Sequence, residues 1–290
     1  MVEGCWMANT SFGRTGTSIS SIRSSSISDA IEATSLNAKV PSDARIPEVR
    51  KLMRDRGFRT VAVIEGKAGR VIGIITRGDV LMVSSSKSEA TAGSLAYPSP
   101  VTLAPSTSIE KALTLMLSND LWEAPVINEV SFAGFFGLND VIRALLDRAP
   151  GVLEEAVVRD YMTPGPVFAS SEDFIARIWR KMIELKYAGL PVTDDNGRLV
   201  GMITQYDLLA KGYTRIHLES ESGASKGPRV KEAMTRSVMY VTPWSRLSEA
   251  ARLMVIRGFG RIPVVDDPKS MRLVGIVDRE DVVKVLRVRA

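Results

Sequence analysis

The chain has 290 residues, of which 45% are apolar and 24% are charged, a composition typical of globular proteins with one or two domains. No apolar run is long enough for a membrane-spanning helix and the N-terminal residues lack a signal-peptide pattern, so we expect a cytoplasmic protein. The single cysteine, Cys5, and the single histidine, His217, argue against disulfides, zinc sites and histidine-based catalysis. The net charge of +5 would suit an anionic ligand or nucleic acid, but the basic residues are scattered, so a solvated basic surface explains it equally well.

The first 26 residues are rich in serine and poor in large apolar side chains. Such a segment buries too little apolar surface to offset the entropy that is lost on ordering. We therefore predict a serine-rich mobile arm over residues 1–26.

A first structural unit, in the order β-α-β-β-α, is predicted over residues 27–89. Apolar side chains recur at three- and four-residue spacing within residues 46–53, which indicates a helix with one buried face. Two runs rich in β-branched residues, 60–64 and 71–75, predict neighbouring strands. Asp79 is expected to open the closing helix of the unit.

The same order of elements recurs in three further units, predicted over residues 90–150, 151–218 and 228–290. A linker rich in serine, glycine and lysine, residues 219–227, precedes the last unit. The turn formers Ala149-Pro150-Gly151 indicate a break between the two halves of the chain.

Each unit contains a heptapeptide that begins in an apolar strand and ends with an aspartate. The heptapeptides end at Asp79, Asp140, Asp207 and Asp281, about 60 to 75 residues apart. The third suits an adenosine phosphate best, because Asp207 could accept hydrogen bonds from both ribose hydroxyls and Thr204 could donate one to a phosphate. An aspartate at a helix start is also a common cap, so one copy alone would be a weak signal; four copies in register favour a binding function.

A repeat of about 60 residues with a leading Met-Thr pair, a Pro-Val strand and a closing Gly-x-x-Thr-x-x-Asp resembles the CBS (cystathionine β-synthase) domain. The leading pairs are Met162-Thr163 and Met234-Thr235. The resemblance implies an α/β (α+β) fold of four CBS repeats. It implies that repeats one and two, and repeats three and four, form two Bateman modules, in a layout similar to the γ subunit of AMP-activated protein kinase.

The resemblance also implies that adenine nucleotides bind in clefts between paired repeats, with the ribose aspartate from one repeat and the adenine pocket from its partner. For the favoured cleft, the third repeat supplies Met202, Thr204, Tyr206 and Asp207. The fourth repeat supplies Ser237, Val238, Phe259, Gly260 and Arg261. Arg261 is expected to pair with a phosphate, although a solvated arginine at a strand end is an equal alternative.

The second-ranked cleft is expected to use Ile74, Thr76, Asp79, Leu121 and Trp122. Trp122 could stack on a base, whereas Glu123 would oppose a phosphate unless Arg59 or Arg77 compensates.

The clefts of Asp140 and Asp281 are expected to bind less well. In the first, Gly137 replaces the hydroxyl residue, a loss that Arg59 partly offsets. In the second, Asp278 would repel a phosphate. These two sites are expected to be empty or to hold a ligand with its charge placed differently.

These features predict a non-catalytic, energy-sensing regulatory protein that binds AMP, ADP or ATP as a ligand and acts on an unidentified regulated protein. S-adenosylmethionine or NAD is an alternative ligand, because the ribose aspartate would serve either one. A basic scaffold or nucleic-acid-binding protein with vestigial sites is a further alternative. An enzyme is not expected, because the clefts contain no nucleophile beside a base and no metal constellation.

The four repeats could close a disc within one chain or through a homodimer.

Overall fold

The computed structural model describes residues 19–31, 33–83, 89–213 and 227–288. Cys5, His217 and nearly all of the predicted linker 219–227 lie outside the described residues.

Every repeat contains two principal helices, which we name the middle helix and the closing helix. The middle helices are Ile46–Arg56, Ile109–Ser118, Ile175–Glu184 and Leu247–Arg257. The closing helices are Arg77–Met82, Leu138–Arg148, Gln205–Ala210 and Arg279–Val283. Shorter helices are Ile19–Ser24, Ala92–Leu95, Pro150–Glu155, Val230–Ala233 and Val285–Val288, and the 3-10 turns are Ile27–Asp29, Ala33–Asn37 and Val158–Asp160.

The strands of the described residues form three sheets. They are β1 (Lys39–Pro41), β2 (Thr60–Glu65), β3 (Arg70–Thr76), β4 (Glu123–Asn128), β5 (Ser131–Gly137), β6 (Thr163–Pro164), β7 (Ala169–Ser170), β8 (Gly189–Thr193), β9 (Leu199–Thr204), β10 (Arg261–Val265) and β11 (Leu273–Asp278). The sheet orders are β1-β2-β3-β5-β4, β7-β8-β9 and β10-β11-β6. The first sheet joins repeats one and two, and β6, from the start of repeat three, pairs with repeat four. The predicted four-repeat α/β fold and its pairing into two modules are therefore confirmed.

The segment that leads into each repeat hydrogen-bonds to the partner repeat of the same module. In the first module, Ser26 bridges to Ser108 and Thr91 bridges to Arg45. In the second module, Val157 bridges to Arg246 and Arg229 bridges to Phe174. This reciprocal exchange satisfies backbone groups at the start of the middle helices and joins the two repeats of a module.

Two hydrophobic cores each combine repeats from different modules. One core contains side chains of repeats one and three, including Met53 and Met182, which are fully buried. The other contains side chains of repeats two and four, including Phe136 and Met254. Burial of apolar side chains across the module boundary is the main stabilising term for this contact. The four repeats thus pack together within one chain.

The prediction of a mobile arm over residues 1–26 is wrong for its described part, residues 19–26, because this part is ordered. Residues Ile19–Ser24 form a helix, and Ile22 and Ile27 are fully buried in the core of repeats two and four. The main-chain N–H groups of Ile27 and Ser28 donate to carbonyls of repeat two. A few isoleucines among many serines are sufficient here because they enter a core that other parts of the chain provide. Residues 1–18 lie outside the described residues.

Within the described ranges, none of the helices combines the length and the apolar character that crossing a membrane would require.

Candidate functional site

A cavity of about 720 Å³ lies where the four repeats meet. Most of the predicted site residues line it: Arg59, Ile74, Thr76, Leu121, Trp122, Met202, Thr204, Tyr206, Asp207, Ser237, Val238, Phe259, Gly260 and Arg261. Three predicted residues, Asp79, Asp140 and Asp281, do not line it. The favoured cleft and part of the second-ranked cleft therefore open into the same space.

Asp207 lies in a capping box at the start of its closing helix. The N–H and hydroxyl of Thr204 donate to Oδ2 of Asp207, at 2.8 and 2.6 Å, and the N–H of Asp207 donates back to the Thr204 hydroxyl. Thr235 of repeat four donates to the other carboxylate oxygen, Oδ1, at 2.9 Å. Thr204 is thus the cap and Asp207 the third helical residue, so the helix begins two residues earlier than we predicted.

This capping box directs the only hydroxyl proton of Thr204 at Asp207. The proton is therefore engaged within the protein, and the expected donation from Thr204 to a phosphate would require the hydroxyl to rotate.

Thr76 and Asp79 form the same capping box in repeat one, with hydrogen bonds of 2.7 and 2.6 Å to Oδ2 of Asp79. Here too the helix begins before the aspartate, at Arg77. Tyr97 of repeat two lies beside this pair, and its partial burial, followed by the charge of Asp79, raises the pKa of its phenol. Thr76 and Tyr97 line the cavity, whereas Asp79 does not.

The aspartates of the two weaker clefts are buried and engaged. Oδ2 of Asp140 accepts from the N–H of Gly137 at 2.8 Å. Asp281 accepts from the N–H of Asp278 at 3.0 Å and from Lys284 Nζ at 2.7 Å. Burial and the nearby Asp278 raise the pKa of Asp281. Both aspartates are the third residue of their closing helix and accept from the N–H of the cap residue, and they lie outside the cavity lining.

Arginines from repeats one and four converge on the centre of the molecule. Arg59, Arg77 and Arg261 line the cavity, and Arg279 is close enough to Arg59 and Arg77 for their charges to lower its pKa. Burial is the largest cause of the lowered pKa values, which are about 10 for Arg77 and about 9 for Arg279. Cations that are desolvated together in this way favour the binding of an anion.

Backbone carbonyls hold several of these guanidinium groups in place. Arg77 Nε donates to the carbonyl of Phe58 at 2.8 Å, and Arg279 Nη2 donates to that of Gly258 at 3.3 Å. Arg261 Nη1 donates to the carbonyl of Gly189 at 3.0 Å, in the third repeat. The Nε atoms of Arg261 and Arg279 are buried and make no hydrogen bond within the described structure.

Two of these arginines contact the indole ring of Trp122. The guanidinium carbons of Arg59 and Arg261 lie 5.3 and 5.2 Å from the ring centroid, a distance typical of cation–π contacts. Trp122 therefore joins repeats one, two and four at the cavity. This arrangement differs from the predicted stacking of Trp122 on a base, because the ring is already in contact with guanidinium groups.

Sequence reasoning left Arg279 and Thr235 out of the site. A signal for Arg279 was available, because it follows the cap residue Asp278 just as Arg77 follows Thr76 in the equivalent heptapeptide. Thr235 belongs to the leading Met-Thr pair of repeat four, but its contact with Asp207 depends on the exchange of leading segments between repeats.

Comparisons with known proteins agree with this architecture. The family model described as the CBS domain matches residues 26–86, 92–147, 158–212 and 230–288. An uncharacterized protein of Methanocaldococcus jannaschii, MJ1225, is 27% identical over 254 residues, which cover 80% of this chain and 89% of that protein. The CBS domain-containing protein CBSX2 of Arabidopsis thaliana chloroplasts is 35% identical over 130 residues, covering 36% of this chain and 51% of that protein.

Two solved structures share the fold over most of the chain. The crystal structure of MJ1225, a protein proposed to be an archaeal homologue of the γ subunit of AMP-activated kinase, superposes with a TM-score of 0.77 at 24% identity and covers 92% of this chain and 100% of that one. A conserved protein of Pyrococcus horikoshii superposes with a TM-score of 0.58 at 20% identity and covers 88% and 99% of the respective chains.

Proposed function

Because this chain belongs to the CBS domain family, with four such domains along most of its length, we propose that it is a non-catalytic regulatory protein that binds an adenosine nucleotide in the central cavity. The bound nucleotide, AMP, ADP or ATP, is a ligand and not a catalytic cofactor. The regulated partner is a separate protein that responds to the occupied state.

The proposal depends on one observation, which is that the Asp207 carboxylate and the arginine side chains line the same cavity. A nucleotide carries hydroxyl donors on its ribose and negative charge on its phosphates. Asp207 is suited to the first, since a carboxylate accepts several hydrogen bonds, and the guanidinium groups of Arg59, Arg77 and Arg261 are suited to the second. The volume of about 720 Å³ is within the range of small-molecule sites.

We propose that the adenine base packs against apolar side chains of the cavity that come from repeats three and four, as Asp207 does. Met202, Val238 and Phe259 line this region together with Ser237. Apolar side chains cover the faces of a purine, and a hydroxyl can bond to its edge. Phe259 is 37% exposed, so its ring has area available for a ligand to cover.

A ligand in this position would touch both modules at once. Residues from all four repeats line the cavity, and the two modules meet through the cores of repeats one with three and two with four. A ligand shifts such a structure only by binding one arrangement of the modules better than another. We propose that occupancy is transmitted in this way, as a change in the relative orientation of the modules that a partner protein detects.

The test is calorimetric titration of the full chain with AMP, ADP, ATP and S-adenosylmethionine, alongside Asp207→Ala. We expect saturable binding of at least one adenosine phosphate and a loss of about tenfold or more in the variant, because charge-assisted hydrogen bonds contribute about 1.5 to 3 kcal/mol. Asp173→Ala is the matched control. It removes one charge and one backbone hydrogen bond of 2.9 Å from the same repeat, outside the cavity.

Three results would contradict the proposal. Absence of binding by every ligand to a folded sample would leave a CBS-fold scaffold without a sensor function. Equal binding by Asp207→Ala and the control would remove Asp207 from the site. Binding of S-adenosylmethionine alone would replace the nucleotide by a cationic adenosine ligand, for which the arginines are poorly suited.

A further inference from the structure

Glu123 is an acidic side chain placed among the arginines of the cavity. It begins β4 and lines the cavity together with Trp122. Its Oε1 atom is buried and accepts no hydrogen bond within the described structure. A buried carboxylate oxygen without a partner is unfavourable unless nearby positive charge compensates.

That compensation comes from arginines of two other repeats. The negative charge of Glu123 raises the pKa values of Arg59, Arg77 and Arg279, against the lowering effect of burial. Arg59 and Arg77 come from repeat one and Arg279 from repeat four, whereas Glu123 comes from repeat two. The charge of Glu123 therefore offsets part of the positive charge at the point where these repeats meet.

The other repeats have no carboxylate at the position of Glu123. The first residues of the equivalent strands are Thr60, Gly189 and Arg261, and all of them line the cavity. Each lies opposite the cap residue of its closing helix, and for Glu123 that residue is Gly137. A Cβ atom on Gly137 would lie 2.8 Å from the carbonyl oxygen of Trp122 and 3.1 Å from Cβ of Glu123, so the glycine allows the start of β4 to approach this junction closely.

We propose that Glu123 is a specificity-determining residue, whose carboxylate occupies the anion position among the cavity arginines and competes with the phosphate groups of the ligand. This inference rests on the proposed function, because it concerns the same cavity. A ligand phosphate must approach arginines that Glu123 already neutralises in part, and each added negative charge meets repulsion from the carboxylate. Glu123 therefore narrows the difference in affinity between ligands that carry many phosphates and ligands that carry none.

The experiment compares the full-length wild-type chain, Glu123→Gln and Glu123→Asp by calorimetry with adenosine, AMP, ATP and inorganic tripolyphosphate. We expect Glu123→Gln to bind ATP and tripolyphosphate about tenfold or more tightly than the wild type. The reason is that the substitution removes the repulsion between the Glu123 carboxylate and a phosphate bound in the same cavity. Its affinity for adenosine, which carries no phosphate, should be unchanged. Glu123→Asp keeps the charge and should resemble the wild type.

Glu110→Gln is the matched control for net charge. Glu110 lies in the same repeat, its side chain is 61% exposed and it does not line the cavity, so the same change of one unit of charge should leave all four affinities unaltered.

A ratio of ATP to adenosine affinity that is equal in the wild type and Glu123→Gln would overturn the inference while leaving the proposed function intact. Tighter tripolyphosphate binding by Glu123→Gln, with no nucleoside ligand bound by any variant, would support the inference and reject the nucleotide. Absence of binding by all four ligands would reject both.

Discussion

At the scale of single residues, the site shows how one side chain combines a structural and a binding role. Asp207 caps its closing helix through Oδ2 and accepts from Thr235 of repeat four through Oδ1. Asp207 therefore has a structural role in the capping box, and the contacts with Thr204 and Thr235 use three of the roughly four acceptor positions of its carboxylate. One position remains for a ribose hydroxyl, and bonds to both ribose hydroxyls would require Thr235 to release Oδ1.

Gly260 provides a residue-scale prediction, because it makes room for Arg59. A Cβ atom at Gly260 would lie 2.8 Å from Nη1 of Arg59 and even closer to Nη2, so Gly260→Ala must displace this guanidinium from Trp122. We expect ATP affinity to fall several-fold, measured by calorimetry. The free energy of unfolding should change by less than about 1 kcal/mol, because the displaced group is the end of a flexible side chain.

Gly151→Ala is the control for this substitution, since an added Cβ at Gly151 meets nothing within 4 Å. It should leave ATP affinity unchanged. Equal affinities for Gly260→Ala and Gly151→Ala would show that the position of Arg59 does not matter for binding.

At the scale of elements, hydrophobic periodicity predicted the middle helices and the two antiparallel strands of each repeat correctly. The leading strand is present in repeats one and three as β1 and β7, but in repeats two and four it is only an isolated bridge, at Leu103 and Val241. The runs 60–64 and 71–75 lie within β2 and β3, and the middle helix of repeat one begins at Ile46 as expected. Two kinds of element were misjudged. The starts of the closing helices were placed at the aspartate because the capping threonine was interpreted as a ligand contact. The N-terminal helix was missed because its burial depends on a core far away in the sequence.

The N-terminal helix leads to a prediction at this scale. Ile22 is fully buried against repeats two and four, so Ile22→Ala should lower the free energy of unfolding by about 2 to 5 kcal/mol, as is typical of cavities made in a core. The measurement is urea denaturation followed by circular dichroism. Ile256→Ala is the matched control, because Ile256 is 69% exposed and its loss should change stability by less than about 0.5 kcal/mol. Equal effects of the two substitutions would mean that the helix adds nothing to the fold.

At the scale of the whole molecule, each hydrophobic core is completed by the opposite module. Closing helices meet across the boundary: Arg77–Met82 packs near Gln205–Ala210, and Leu138–Arg148 packs near Arg279–Val283. The same packing brings the four strand-to-helix junctions to the centre, where the arginines of repeats one and four face Glu123 and Trp122 of repeat two. The cavity is thus a property of both modules together.

This dependence predicts the behaviour of separated modules. A chain of residues 156–290 contains the second module alone and should expose the apolar face that repeats one and two normally cover. We expect it to self-associate at micromolar concentration, as measured by sedimentation velocity, because a large exposed apolar face drives association. Addition of residues 19–150 should convert it into a one-to-one complex. A monomeric half that retains the thermal stability of the full chain would contradict this account.

The sequence by itself determined the repeat, the family and the fold class, because strand and helix periodicity and the heptapeptide are local patterns that recur four times. The family resemblance added site residues, 14 of which line the cavity. The tertiary structure alone decided which of these residues share one space. It merged the favoured cleft with part of the second and left Asp140 and Asp281 buried at their helix starts. It also placed Thr235 in the cavity lining and Arg279 near the cavity arginines. The physical reason is that proximity at the cavity arises from the exchange of leading segments and from apolar packing between modules. Both bring together residues that are far apart in the chain, and local sequence patterns do not predict such contacts.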